Sequence, residues 1–214
     1  MNFRFEFSRL FSIQKFVLGL GLFFLLSLLF ACQSNQKTKL VTDIAIADTA
    51  KFYPIEKFIQ DEIQYVDLRD FNITETKLNE SGDTAFAKED HTSSQLTKDE
   101  FISAAREIKN AAVWFSKNKY LYKETVFQDL GTESYTINYQ SDEADIKNID
   151  LLLNEQTNLP KRLFIREITR EEGNTMTVQY SWIAGKQFTI SKSMKNGKTL
   201  IWQSSKTIEW NNKP

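Results

Sequence analysis

From Lys119 to the end of the chain the hydrophobic pattern has a period of two, and this alternation constrains the fold more than any other feature of the sequence. Alternating runs cover residues 161–170, 175–183, 187–194 and 199–210, separated by Glu172, Gly173 and Asn174, by Ala184, Gly185 and Lys186, and by Asn196 and Gly197. Short glycine-bearing interruptions between alternating runs are hairpin turns, and Asn196 with Gly197 is the strongest such signal because both residue types tolerate positive φ. Four strands joined this way form an antiparallel meander. Further upstream, residues 121–127 and 135–139 flank Asp129, Leu130 and Gly131 as another hairpin, and 149–153 is a short apolar strand. The loop 154–160 follows, with Pro160 opening the next strand at its edge.

The alternation also assigns faces. Leu163, Ile165, Met176, Val178, Tyr180, Trp182, Phe188 and Ile190 fall on one side of these strands, with mostly Lys, Arg, Glu, Gln and Thr on the other. A sheet patterned in this way is buried on one face only. Two upstream segments have the period to cover it. Ile55, Phe58, Ile59, Ile63 and Val66 recur at helical spacing behind Pro54, which suits a first helical turn, and predict a helix over 54–68. Its polar side carries Glu56, Asp61 and Glu62. Thr97 followed by Glu100 is a capping-box pair, and Phe101, Ala105, Ile108, Ala112 and Phe115 behind it predict a second helix over 98–117. Between the helices, residues 71–78 and 84–87 around a turn at 79–83 read as a hairpin. Residues 88–96, with the only histidine, His91, read as a polar loop. The expected fold is α+β: a curved antiparallel sheet of about seven to nine strands, ending in a meander, packed on two amphipathic helices within one domain over 51–214.

The amino terminus carries an address. Arg4, Arg9 and Lys15 outnumber Glu6 in the first 15 residues, and residues 16–30 form a charge-free apolar core. That core is shorter than the roughly 20 residues that a membrane-spanning helix needs. Leu29, Phe30, Ala31 and the only cysteine, Cys32, follow. This run resembles the bacterial lipoprotein signal motif, with an aliphatic residue three before the cysteine and a small residue just before it. The resemblance implies cleavage of residues 1–31, acylation of Cys32 (palmitate among its chains) and attachment to a membrane. Residues 32–50 then act as lipidated cysteine and tether. Gln33, where an Asp would retain such a protein, implies an exported protein anchored in the outer membrane and facing the periplasm. The layout of a curved antiparallel sheet over helices, behind such a signal, resembles the half-barrel of the lipoprotein-carrier and outer-membrane lipoprotein-receptor families, and implies an apolar ligand in the concavity.

Without residues 1–31 the chain has 183 residues, with 24 basic against 27 acidic side chains and a net charge of −3. That is enough chain for one domain with a real core, and its balance leaves no electrostatic footprint for nucleic acid. With one cysteine no internal disulfide forms, so burial holds the fold.

Chemical motifs are sparse. His91 lies between Asp90 and Thr92 in a polar setting, without the partners of a hydrolytic triad. Asp142, Glu143 and Asp145 with Asp150 form the one acidic run near metal-ligand spacing, and it lacks the central glycine and terminal bidentate Glu of a calcium loop. No catalytic residue, metal site or cofactor is expected. Tyr135, Tyr139, Tyr180, Trp182 and Trp202, with Trp210, are the rings able to floor an apolar groove, and their strand spacing suits core packing equally. The expectation is a non-enzymatic, lipid-anchored envelope protein that works by binding, through the concave side or an exposed edge of its sheet, with an envelope protein or an apolar ligand as the possible partner. The alternative is a carrier of a lipid or other apolar ligand in that concavity, and the second alternative is a hydrolase.

Overall fold

The structure is a computed structural model and describes residues 52–81, 90–129 and 131–212, which belong to one compact unit within 38–214. Cys32, its signal and tether, and the strand expected over 84–87 lie outside the described residues. Among the described residues two helices, α1 (Ile55–Asp67) and α2 (Lys98–Lys117), accompany nine strands. These are β1 (Phe71–Ser81), β2 (Asp90–Gln95), β3 (Lys123–Asp129), β4 (Ser134–Gln140), β5 (Ile146–Asn154), β6 (Pro160–Glu171), β7 (Asn174–Ile183), β8 (Gln187–Asn196) and β9 (Thr199–Asn212). All nine pair antiparallel in one open, curved sheet of order β2-β1-β9-β8-β7-β6-β5-β4-β3. The expected four-strand meander is β6 to β9, the consecutive order continues beyond it to β3, and the N-terminal hairpin joins it through eleven residue pairs between β1 and β9.

Turn chemistry sets the register, with one exchange. Glu172 and Gly173 both take positive φ, 49° and 82°, and form the two-residue turn that closes Glu171 on Asn174. That double-positive geometry matches the twist of the flanking strands. Asn196 and Gly197 do not form such a turn: Asn196 pairs with Thr199 as the last residue of β8, and the turn residues are Gly197, at φ 55°, and Lys198. The polar segment holding His91 is also not a loop. Residues 90–95 form edge strand β2, with His91 opposite Leu78. Its Ser and Thr residues suit extended backbone, and an edge strand needs neither of its faces to be apolar.

The topology explains why α2 is long. β2 and β3 lie at opposite edges, so the chain between them must cross the whole sheet. Eight strand spacings amount to about 38 Å. The 20 residues of α2 supply about 30 Å of this, and a 3-10 turn at Lys119–Leu121 follows. The helix starts cleanly because Thr97 caps it: the Thr97 hydroxyl accepts from the Glu100 amide, while the Glu100 carboxylate accepts from the Thr97 amide at 2.8 Å. Along α2, Phe101, Ala105, Ile108, Ala111, Ala112 and Phe115 are buried, including all five residues of the predicted stripe. Phe101 packs on Phe188 and Trp210, with ring centroids 5.7 and 5.4 Å away. Phe115, about 21 Å further along the helix, packs on Tyr139 and Tyr122 at 4.9 Å each. One helix thereby joins two aromatic clusters at opposite sides of the sheet.

α1 lies beside α2 and is fixed at both ends. Ahead of it, the Tyr53 amide donates to the Tyr139 hydroxyl at 2.8 Å. Near its far end the Glu62 carboxylate accepts from the Trp182 indole N–H at 3.0 Å and from the Gly185 amide, in the β7–β8 turn, at 2.7 Å. Glu62, assigned by helical periodicity to the polar side of its helix, is thus a clamp between helix and sheet.

Candidate binding surface

Two side-by-side helices, with axes about 8–10 Å apart, cover a band about 20 Å wide. Strands β6 to β9 contain 10 to 14 residues, so at about 3.4 Å per residue they run on for 34 to 48 Å. The inner face therefore continues past α2. Burial records the boundary: Leu163, Ile165, Tyr180, Trp182, Phe188, Ile190, Ile208 and Trp210 are buried, whereas Glu167, Met176, Val178, Lys192, Met194, Trp202, Ser204 and Lys206, further along the same inward-pointing positions, are only half-buried. Met176 and Val178 belong to the apolar face that the alternation predicts, but neither described helix buries them.

Three lysines gather where this strip meets α2. Lys192 Nζ lies 2.7 Å from Glu107 Oε2, and Lys206 Nζ lies 4.0 Å from Oε1 of the same carboxylate. Lys77, on β1, lies 2.6 Å from Glu75, whose side chain is buried. Lys77, Lys192, Lys206, Glu107 and Ser204 line a pocket of about 200 Å³ that opens onto the strip. Across the register Lys77 stands opposite Lys206 and Ile190 opposite Lys206 on its other side, so the cationic positions occupy neighbouring strands. On the far side of Lys192, Glu167 receives a 3.5 Å hydrogen bond from the Tyr180 hydroxyl. Burial pushes the Glu167 carboxyl above the ordinary range, the negative charge of Asp145 adds to this, and the Tyr180 bond and Lys192 partly offset it. The Tyr180 hydroxyl is itself pushed up, first by burial and then by Glu167 and Glu107. The arrangement places cationic groups at one end of a half-exposed apolar row.

The other groove, of about 490 Å³, lies between the start of α1 and the end of α2 and is lined by Glu56, Lys57, Gln60, Asp61, Ser116 and Lys119. Its charges are solvated, and Lys57 and Asp61 neutralise each other one helical turn apart at 2.7 Å. Beneath the helices the space is filled by Trp182, Phe101, Phe115, Phe188 and Tyr139, all fully buried.

The five rings proposed for a groove do not come together. Tyr139 and Trp182 are fully buried and Tyr180 nearly so, all under the helices in the packed core. Tyr135 is half-buried five strands from β9, where its hydroxyl donates to Glu155 at 3.2 Å. Only Trp202 lies on the uncovered strip, opposite Met194. The acidic run is not gathered either. Asp150 accepts from Asn138 at 2.7 Å on β4, and among the described residues no three His, Cys, Asp or Glu side chains converge as metal ligands. The lysines escaped the sequence reading because polar residues on these strands were assigned to the solvent face. The signal was present as parity: Lys192 follows Ile190 by two and Lys206 precedes Ile208 by two, which makes both inward-pointing. Compared with known proteins, the chain matches no family model, no curated protein and no solved structure.

Proposed function

We propose that this chain is an exported, lipid-anchored protein of the cell envelope that acts by non-covalent binding, with the uncovered strip of its inner sheet face as the binding surface. The address rests on the sequence: a basic start, a 15-residue apolar core, and the lipoprotein-like run ending at Cys32. Two or three acyl chains on that cysteine make a stable anchor, since each buried methylene contributes about 0.8 kcal/mol and one chain alone binds only marginally. The observation that carries the binding reading is the half-exposed row of Met176, Val178, Met194 and Trp202 beside the three lysines, left uncovered by helices that fill the rest of the concavity. A ligand enclosed between sheet and helices would have to displace fully buried rings, so the open strip is the better supported site.

The test uses the full-length chain in its own envelope. Metabolic labelling with an alkyne palmitate should tag the wild type and not Cys32→Ala. A photo-crosslinking amino acid replacing Met194 should give a discrete adduct, whereas the same group at Gln203, which is exposed and pairs with Ser193 on the outward face of β9, should give none. Equal yields from both positions, or none from Met194, would overturn the assignment of the surface.

A further inference from the structure

We propose that the ligand of this strip is an anionic amphiphile, with a phosphate group seated among Lys77, Lys192 and Lys206 and an apolar chain laid along Met194, Val178 and Trp202. The proposal rests on the reading of the strip as the binding surface and adds the chemistry of what binds there.

Charge gives the first argument. Glu107 is shared by Lys192 and Lys206, at 2.7 and 4.0 Å, so one carboxylate balances two ammonium groups, and the second is poorly compensated. Both side chains are substantially withdrawn from water, at 34% and 24% exposure, which raises the value of a further anion. Glu75 beneath is engaged by Lys77, and Glu167 faces the group from β6, outside the pocket lining, with its carboxyl raised above the ordinary range by burial and its hydrogen bond taken up by Tyr180. The pocket lining itself therefore carries three cations against one anion. Lysine binds phosphate as a point charge without a fixed fork, which suits three ammonium groups converging from β1, β8 and β9. The Ser204 hydroxyl in the lining adds a donor.

Size gives the second. The pocket, at about 200 Å³, accommodates a headgroup and not a whole amphiphile. The uncovered strip is five strands wide and roughly five residues long, or about 400 Å² by strand geometry. A stable protein partner needs about 800 Å² on each side. One extended acyl chain matches what the strip offers, and Met176, Val178 and Met194 provide the adaptable contacts that such a chain requires.

The closing experiment is a calorimetric titration of the full chain, held in phosphatidylcholine nanodiscs, with hexyl phosphate, hexyl glucoside and inorganic phosphate. Hexyl phosphate should bind at least tenfold more tightly than the other two. Lys192→Gln with Lys206→Gln should weaken it tenfold or more at unchanged circular dichroism, while Lys198→Gln, in the β8–β9 turn, should leave it unchanged. Equal affinity for hexyl phosphate and inorganic phosphate would overturn the apolar half of the proposal and identify a site for free phosphate. Equal affinity for the glucoside would overturn the anionic half. Absence of binding, or binding indifferent to the lysine variants, would overturn it entirely, and a persistent adduct from position 194 would then show that the binding surface itself survives.

Discussion

The two halves of the inner sheet face obey one alternation and meet different fates. Toward the β7–β8 turn, Leu163, Trp182, Phe188 and Trp210 point at the helices and lose nearly all contact with water; toward the β6–β7 turn, Met176, Val178, Met194 and Trp202 point the same way and keep part of theirs. Alternation reports the direction of a side chain, and burial depends on what lies opposite. Here the deciding quantity is length: two helices span about 20 Å of strands that run for more than 30 Å. The covered half supplies the stability of the domain, and the uncovered half is available for contact with something else.

That division predicts its largest effect for truncations. Trp182→Ala removes a fully buried indole that stacks on Phe188 at 4.9 Å, and should cost about 3–5 kcal/mol. Met194→Ala, four residues beyond Ile190 with the intervening Lys192 on the same face, should cost less than about 1.5 kcal/mol, because its site is half-solvated and leaves no closed cavity. Urea unfolding of both variants measures the difference directly. Similar losses would mean that the uncovered strip is part of the core and would dissolve the distinction.

Much of this architecture could be read from the residues. The stripe on α2 and its Thr97–Glu100 box, the meander and the six buried members of the predicted apolar face all follow from local periodicity and capping. What escaped involves partners distant in the chain. Nothing local says that β1 pairs with β9, that Glu62 faces Trp182 across 120 residues, or that the helices stop short of Met176. Asn196 and Gly197 teach a related lesson. Their local preference is for a double-positive turn, but one residue of register places Asn196 in the strand, while Glu172 takes the left-handed conformation instead. Residues whose role is fixed by a neighbour within four positions were legible. The lysines of the pocket, gathered from three strands around a glutamate on α2, were not.

A smaller effect sharpens the boundary from the helix side. Glu62→Ala removes the acceptor for both the Trp182 indole and the Gly185 amide, and should cost about 2 kcal/mol, since hydrogen bonds to a charged group contribute about 1.5–3 kcal/mol and the indole is left buried without a partner. Trp210 supplies the control, because its indole N–H is the one buried side-chain donor among the described residues that has no partner. Trp182→Phe should therefore destabilise more than Trp210→Phe in thermal unfolding, although both rings are buried under the same helix cluster. If the two substitutions cost the same, the clamp contributes nothing.

The smallest effect belongs to Glu167, at the seam between the halves. Its folded-state pKa is raised above the ordinary 4.5, chiefly by burial, so the native state holds the proton more tightly than the unfolded chain does. By linkage, stability rises as pH falls through the raised native value toward 4.5, and gains nothing further once the group is protonated in both states. Glu100 and Asp129 have the opposite sign. Their pKa values are lowered, by hydrogen bonds from Thr97 and from Thr132 and Gly131, so their contributions are present above 4.5 and 3.8 and are lost only as pH falls through their lowered native values. The two windows do not overlap, and the Glu167 contribution can be isolated above 4.5. Glu167→Gln should be more stable than the wild type at pH 7, and the difference should shrink as the medium is acidified toward 4.5, because protonated Glu167 and Gln are then alike in charge. The carbonyl oxygen of Gln still accepts from Tyr180, so the comparison removes charge and little else. Unfolding midpoints at pH 7, 6 and 5 decide it. A difference independent of pH would place Glu167 in water with the solvated half, and a seam that far into the covered face would lengthen the strip on which the lysine pocket opens.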